Sequence, residues 1–314
     1  MKEAAAKKIV VVIPTLNEEQ SIGSVLDEVH EVMKQRGYNY EILVVDGRSK
    51  DRTVEIAEEK GAKVIYQRRK GYGDALQTGF YYAKDSLGAD VILMMDGDGS
   101  YDPKDIPKLV EPVLKDQADL VTGDRLKNLQ KGAMPFKNYV GNKVLAFLAR
   151  LAFGVNVGDS QCGMRAFKAE YLDYVFLESE GMPFAMEMLG EFSRIRSRIL
   201  SVPINYRPRI GKSKLNPFRD FVRIVSLVLM LARDYRPLMF FGTISAVLLA
   251  AGFIIGIGII VEWLQTGRVV RHASTVLSSI LIISGLQVLI LGLIADMVNK
   301  ILYKMASFLR RKGS

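Results

Sequence analysis

Two carboxylates stand one residue apart in Asp96-Gly97-Asp98-Gly99-Ser100, directly after the apolar run Val91-Ile92-Leu93-Met94-Met95. Such a run without alternation suits a strand covered on both faces of a parallel sheet, which puts Asp96 and Asp98 at its carboxyl end. In open α/β sheets, ligands bind at that edge. Two hard oxygen donors there, with Gly97 and Gly99 letting the backbone come close, suit a Mg²⁺ or Mn²⁺ that keeps positions free for phosphate oxygens. The plain alternative is a solvated Asp-Gly turn. An EF-hand loop is excluded, because Tyr101 stands where that loop needs Gly and Pro107 where it needs a bidentate Glu.

Other groups fall at the ends of neighbouring apolar runs. Ile9-Val10-Val11-Val12-Ile13, stopped by Pro14, leads into Asn17 and Glu18; Glu41 to Val45 leads to Asp46; Lys63 to Tyr66 leads to Asp74. Arg125, in Thr122-Gly123-Asp124-Arg125, is a candidate to meet an anion, or else a surface arginine paired with Asp124. Acidic groups gathered around an anionic ligand make sense only when a metal or nearby cations balance the charge. Asp159-Ser160-Gln161 before Gly163 reads as a binding loop. Arg207-Pro208-Arg209-Ile210-Gly211-Lys212-Ser213-Lys214 is either a solvated face or a phosphate-binding stretch.

The elements that must carry these groups alternate. Helical spacing in Ile22, Val25, Leu26, Val29, Val32 and Met33 predicts a helix over about 19–36, and further helices are read over 51–60 and to about Asp85. This β-α-β-α order predicts a doubly wound, mostly parallel Rossmann-like sheet, closed by a last sheet element near Ile199 to Tyr206. Residues 138–153 read as an amphipathic helix with Tyr139, Val140, Val144, Leu145, Phe147, Leu148 and Leu151 on one face. Core packing is its default reading and a membrane interface the sharper one.

Charge is concentrated before about position 236, and two long apolar runs follow, Leu238 to Val261 and Thr275 to Ala295. Each is long enough to cross a bilayer, which predicts a helical hairpin. Gln287 inside the second run is expected to make an interhelical hydrogen bond. Arg233, Arg236, Lys300, Lys304 and the terminal Arg310-Arg311-Lys312 outnumber Arg268 and Arg271 of the connecting loop, so the catalytic domain and C-terminus are expected on the cytoplasmic side. The expected division is a leader over 1–8, which reads as a helical spacer, a catalytic domain over 9–210, a basic loop and interfacial helix over 211–236, the hairpin over 237–297, and a basic tail over 298–314.

One cysteine, Cys162, excludes an intrachain disulfide, and two histidines argue against a His-rich metal site. There is no Gly-x-Gly-x-x-Gly after a strand and no Gly-Lys-Ser/Thr loop, which argues against a dinucleotide or P-loop enzyme. No secretory signal is read before the first strand. The net charge of +9 gathers beside the apolar runs, which favours a membrane surface over a nucleic acid.

Taken together, Val12-Ile13-Pro14-Thr15-Leu16-Asn17-Glu18-Glu19, Leu43-Val44-Val45-Asp46-Gly47-x-Ser49-x-Asp51-x-Thr53, Asp96-Gly97-Asp98, Gly123-Asp124-Arg125, Gln161-Cys162-Gly163 and Arg209-x-Gly211-x-Ser213-Lys214 resemble the inverting family 2 glycosyltransferases. The branch they resemble most is the polyprenyl-phosphate (dolichyl-phosphate) sugar synthases, above all the archaeal members that load glucose or N-acetylglucosamine. The resemblance implies a GT-A fold. It implies that Pro14, Asn17, Glu18, Asp46, Asp74, Asp96, Gly97, Asp98 and Gln161 bind the nucleotide sugar, and that Asp96 and Asp98 hold Mg²⁺ or Mn²⁺. Arg125, Arg209, Ser213 and Lys214 would meet the acceptor phosphate, and Asp98, Arg125, Asp159 and Glu187 would form the catalytic set.

The implied partners are a UDP-hexose, dolichyl or polyprenyl phosphate and a bilayer, with self-association left open. Gly47 and Arg48 stand where relatives often carry a second Asp, and Ser100 where mannosyl members often carry Gln, which leaves the third metal ligand open. A GDP-mannose-dependent synthase is the alternative donor reading. A processive polysaccharide synthase would need a Gln-x-x-Arg-Trp motif, and the only tryptophan, Trp263, lies between the two apolar runs without it. A non-catalytic membrane scaffold is the alternative of another class.

Overall fold

The computed structural model describes residues 7–130, 132–181, 183–208, 222, 225–226, 229–230, 232–233, 236–269 and 271–313, with side chains as far as residue 301. The chain divides into two compact units, residues 1–228 and 229–314.

In the first unit, β1 (Lys8–Thr15), β2 (Asn39–Asp46), β3 (Lys63–Tyr66), β4 (Val91–Met94), β5 (Leu120–Leu129), β6 (Arg165–Lys168) and β7 (Ile199–Tyr206) form one sheet in the order β3-β2-β1-β4-β6-β5-β7. All neighbours are parallel except β6, which runs antiparallel between β4 and β5. The mixed, mostly parallel sheet is the expected architecture. Two details differ. Pro14 lies inside β1, which runs on to Thr15 paired with Asp46, and β6 had no counterpart in the sequence reading. Its four residues, Arg-Ala-Phe-Lys, carry charge at both ends and no apolar run. Yet Arg165 is fully buried, donating to the carbonyls of Cys162, Ser160 and Ala185 at 2.7–2.9 Å. Three backbone acceptors let a guanidinium sit where a strand pattern calls for an apolar residue.

Alternation along the central strands divides the core in two. Ile9, Val11 and Ile13 of β1, with Val91 and Leu93 of β4, pack with α1 (Ile22–Gln35), α2 (Thr53–Glu59) and α4 (Ile106–Leu114). The opposite face meets α3 (Tyr72–Asp85), where Phe80 contacts Phe167 and Phe184 with ring centroids 4.9 and 5.9 Å apart. Phe184 opens α6 (Phe184–Arg194), which packs with α3 and with α5 (Phe136–Phe153). Because both faces are covered, every residue from Ile9 to Ile13 is completely buried, as a parallel sheet requires.

Helix α5 corrects the default reading of its apolar stripe. Leu145, Ala146, Ala149, Ala152 and Phe153 are buried, whereas Val140, Val144, Phe147 and Leu151 are exposed, together with Phe136 at the helix start. Exposed positions 136, 140, 144, 147 and 151 recur at helical spacing, so a second apolar face of α5 points away from the core.

The second unit holds α7 (Pro237–Thr266) and α8 (His272–Gly313). Each contains a stretch long and apolar enough to cross a membrane, with mean hydropathy 2.7 and 2.4. The helices pack closely through small residues: a Cβ on Gly252 would fall 2.7 Å from Ile282, and one on Gly285 2.8 Å from Leu249. Among the described residues, two serines make hydrogen bonds between the helices, Ser245 Oγ to the Gly285 carbonyl at 2.7 Å and Ser278 Oγ to the Gly252 carbonyl at 2.8 Å. Gln287, expected in that role, is exposed; it lies two residues past Gly285 and so faces away from α7.

Candidate active site

Sheet register brings the predicted groups to one edge. Val12 of β1 is level with Met94 of β4, Met94 with Arg165 of β6, and Arg165 with Thr122 of β5. Thr15, Gly97 and Arg125 each lie three residues beyond that level on strands that run in the same direction. Asp46, paired with Thr15, ends β2 beside them.

At the centre of the edge, Asp96 Oδ1 accepts the Tyr72 hydroxyl at 2.8 Å. A Cβ on Gly163 would fall 2.6 Å from Asp96 Oδ2, so only glycine there leaves that oxygen its space. Burial and the adjacent Asp96 carboxylate hold the Tyr72 phenol well above its usual range, which keeps it a donor. Asp98 Oδ1 accepts the amide and hydroxyl of Ser100 at 3.0 and 2.5 Å, and the Gly97 carbonyl accepts Ser21 Oγ at 2.8 Å. The Asp-Gly loop is thereby fixed on both sides, unlike a merely solvated turn.

The chemistry of this donor set fits a hard divalent cation. Among the described residues no group of three or more His, Cys, Asp or Glu side chains converges. A cation held by Asp96 and Asp98 would therefore complete its coordination with water and ligand oxygens, as Mg²⁺ and Mn²⁺ readily do.

Arg125 sits in an irregularity of β5, where the residues between Asp124 and Asn128 outnumber those between their partners Pro203 and Asn205 on β7. Bulges of this kind re-aim side chains. The guanidinium is buried over the Tyr206 ring, 5.1 Å from its centroid. It pairs with Asp159, not with Asp124 as the alternative reading of a surface arginine had it, Nε to Oδ2 at 2.5 Å and Nη2 to Oδ1 at 3.1 Å. Burial would lower its pKa, but the Asp159 charge outweighs that and holds the arginine cationic. Asp124 instead accepts the Leu126 amide.

The flanking loops are zipped together by their polar groups. Asp46 is completely buried and accepts Thr15 Oγ1 at 3.0 Å, the Ser49 amide at 2.7 Å and Ser49 Oγ at 2.6 Å. Asn17, at φ +50°, donates its amide to Ser49 Oγ and accepts the Lys50 amide on its side chain, both at 2.7 Å. The Glu18 amide meets Thr53 Oγ1 at 2.8 Å. Asp74 accepts the Arg69 amide at 2.7 Å ahead of α3. Gln161 is buried, its amide bonded to Asp159 Oδ1 at 3.0 Å, while its Oε1 is buried without a partner.

Glu187 opens toward the segment that precedes α6. Both its oxygens are engaged by backbone, the amides of Glu178 at 3.1 Å and Ser179 at 3.0 Å; burial nevertheless raises its pKa. Arg209, Ser213 and Lys214 lie outside the described residues. Sequence reasoning missed Tyr72, Tyr101 and Arg165. The Tyr101 hydroxyl accepts the Gly163 amide at 2.7 Å, 62 residues away in sequence, linking the Asp96 loop to the Gln161 loop. A glycine on each side of Tyr72 was the one local signal. Cys162 is buried, and burial pushes its thiol up to about 12, so it packs rather than reacts.

The family model described as glycosyl transferase family 2 matches residues 10–176, the span that holds β1 to β6 and the Asp96 edge. The chain belongs to that family. This family 2 glycosyltransferase is 39% identical to a dolichyl-phosphate hexose transferase of Haloferax volcanii over 69% of this chain and 91% of the relative. It is 32% identical to a UDP-N-acetylglucosamine–dolichyl-phosphate N-acetylglucosaminyltransferase of Methanococcus voltae over 71% of this chain and 97% of the relative. Among solved structures, glucosyl-3-phosphoglycerate synthase of Mycobacterium tuberculosis, crystallised with Mn²⁺, UDP and glucosyl-3-phosphoglycerate, superposes with a TM-score of 0.57 at 23% identity, covering 73% of this chain and 81% of that one. The expected GT-A fold is thus the observed one.

Proposed function

We propose that this family 2 glycosyltransferase moves a hexose, with inversion, from a UDP-sugar, glucose or N-acetylglucosamine, to dolichyl or a related polyprenyl phosphate. The observation that carries the reading is the one sheet edge that bears Asp96 and Asp98 beyond β4 and, on β5, the buried Arg125 paired with Asp159. The acceptor class is supported by the two archaeal relatives above, and the uridine nucleotide by the Methanococcus voltae relative.

Asp96 and Asp98 would hold Mg²⁺ or Mn²⁺, which when bound supplies positive charge to the departing diphosphate. The zipped loops bearing Pro14, Asn17, Glu18 and Asp46, with Asp74 and Gly97, would hold the nucleoside end. The unpartnered Gln161 Oε1 has capacity for one donor from the ligand. Asp159 takes two N–H groups of Arg125 and leaves the others of its fork for phosphate oxygens. Arg209, Ser213 and Lys214 are proposed for the acceptor phosphate. A lipid phosphate is already largely dianionic near neutral pH, so attack on the anomeric carbon needs little base help. Rate then comes from orientation and from cations at the leaving group. That accounts for an edge without a histidine base.

The α7–α8 hairpin is proposed to span the membrane, with the catalytic unit and the C-terminus on the cytoplasmic side by the bias of Arg and Lys. The outward stripe Phe136, Val140, Val144, Phe147 and Leu151, interleaved with Lys143 and Arg150, suits an interfacial position where a lipid head group can be met. Purified protein offered labelled UDP-glucose, UDP-N-acetylglucosamine and GDP-mannose with dolichyl phosphate and Mn²⁺, beside Asp98→Ala, tests the reading. A UDP-sugar should give labelled lipid with the wild type alone. No labelled lipid from any donor would sink the reading, and labelling only from GDP-mannose would replace the donor.

A further inference from the structure

Tyr72 touches the Asp96 carboxylate, and what fixes Tyr72 lies on another part of the chain. The residues on both sides of it are glycines pressed against the segment that precedes α6. A Cβ on Gly71 would collide with the Glu180 carbonyl oxygen, and one on Gly73 with that of Ser179. The Gly73 amide donates to the Glu180 carbonyl at 2.8 Å, Gln77 Nε2 to the Ser179 carbonyl at 3.1 Å, and Arg69 pairs with Glu180 at 3.0 Å.

The segment is itself held from α6. Glu187 accepts the amides of Glu178 and Ser179, and Glu191, one turn later on the same helix face, accepts that of Phe176 at 2.8 Å. A continuous series of contacts therefore runs from α6 through residues 176–180 and the two glycines to the Tyr72 hydroxyl and Asp96. Of these pairings Arg69–Glu180 is largely exposed on both side chains.

We propose that Tyr72 is a positioning residue that orients Asp96 as a cation ligand, and that Glu187, through the 176–180 segment, sets where Tyr72 stands. This rests on the reading of Asp96 and Asp98 as the cation-holding pair. A ligating carboxylate that is already oriented by a hydrogen bond loses less freedom on meeting a metal, and groups in that role shift affinity about 10–100-fold when removed. Glu187 thereby leaves the reacting set. Its two oxygens are occupied by backbone amides, and it acts on the reaction from a distance.

The test is Mn²⁺ titration of the full-length protein with UDP present, followed by the electron paramagnetic resonance signal of free Mn²⁺, with UDP affinity measured separately without metal. Tyr72→Phe keeps the ring and removes only the hydroxyl. It should weaken Mn²⁺ binding about 10–100-fold while metal-free UDP affinity and the thermal midpoint stay at wild-type values. Glu187→Gln should weaken Mn²⁺ binding in the same direction but less. The double variant should be no worse than Tyr72→Phe, because the two act along one series of contacts. Wild-type Mn²⁺ affinity in Tyr72→Phe overturns the proposal, and wild-type affinity in Glu187→Gln overturns the part assigned to the segment. A wild-type protein that takes up no Mn²⁺ with UDP would instead fail the cation-site reading on which both depend.

Discussion

Arg125 and Asp159 meet through two parallel hydrogen bonds, at 2.5 and 3.1 Å, although 34 residues of chain separate them. The carboxylate is completely buried and the arginine nearly so. A buried pair of this kind strongly destabilises a fold when one partner is removed, since the other charge is left uncompensated. Asp159→Leu should therefore cost about 3–5 kcal/mol in chemical denaturation. Arg125→Met combined with Asp159→Leu should recover much of that stability and remain inactive. An active double variant would show that the pair serves the fold alone.

Asp98→Ala removes one of the two proposed cation ligands and the acceptor that fixes Ser100. Transfer to dolichyl phosphate should fall on the order of 10²-fold or more, with stability little changed, in a steady-state assay at saturating Mn²⁺. Activity restored simply by raising the metal concentration would mean that Asp98 contributes affinity and no transition-state charge.

Gly163→Ala offers a test from the other side of the same site. Its Cβ would fall 2.6 Å from Asp96 Oδ2 and 3.0 Å from the Tyr101 hydroxyl. Either the carboxylate turns away or the loop shifts, at about 1–3 kcal/mol. The Mn²⁺ concentration needed for half-maximal activity should rise, more than the KM for the lipid does.

Two carboxyls predict opposite pH slopes of stability. Burial works to raise the pKa of Asp119, but Arg198 and Lys168 outweigh it and hold the group below its unfolded value of 3.8. Its contribution is present above 3.8 and is lost as pH falls through the depressed folded value. For Glu187, raised by burial above 4.5, the contribution is present below 4.5 and is lost as pH rises through the folded value. Asp119→Asn should thus flatten the acid limb of a denaturation series against pH, and Glu187→Gln should flatten the decline above 4.5.

The outward face of α5 gives a prediction separable from chemistry. Phe136 and Phe147 are 80% and 65% exposed, so Phe136→Glu with Phe147→Glu should leave stability within about 0.5 kcal/mol per site. The KM for dolichyl phosphate in vesicles should rise several-fold while that for the UDP-sugar holds. Equal KM values for the lipid would remove α5 from the membrane.

Much of the frame was legible in the chain. Runs such as Ile9–Ile13 and Val91–Met95 could only be covered strands, and the polar groups that follow them had to share one edge because parallel strands end together. The two apolar stretches near the C-terminus announced their helices by length alone. What stayed hidden was whatever depends on a partner distant in sequence. Arg165 is buried because the carbonyl of Ala185, 20 residues on, joins those of Ser160 and Cys162 around its guanidinium, and the residues next to it do not show that. The stripe on α5 has the same period whether it faces core or solvent, so only packing decides which of its residues are covered. Likewise Glu187 reads as an acid in a suitable place, and the fold turns it toward two amides. Residue type and period determined which elements form and which chemistry the edge can host. The tertiary structure decided which polar group answers which other, because hydrogen bonds are short and directional and their partners are fixed only once the layers have packed.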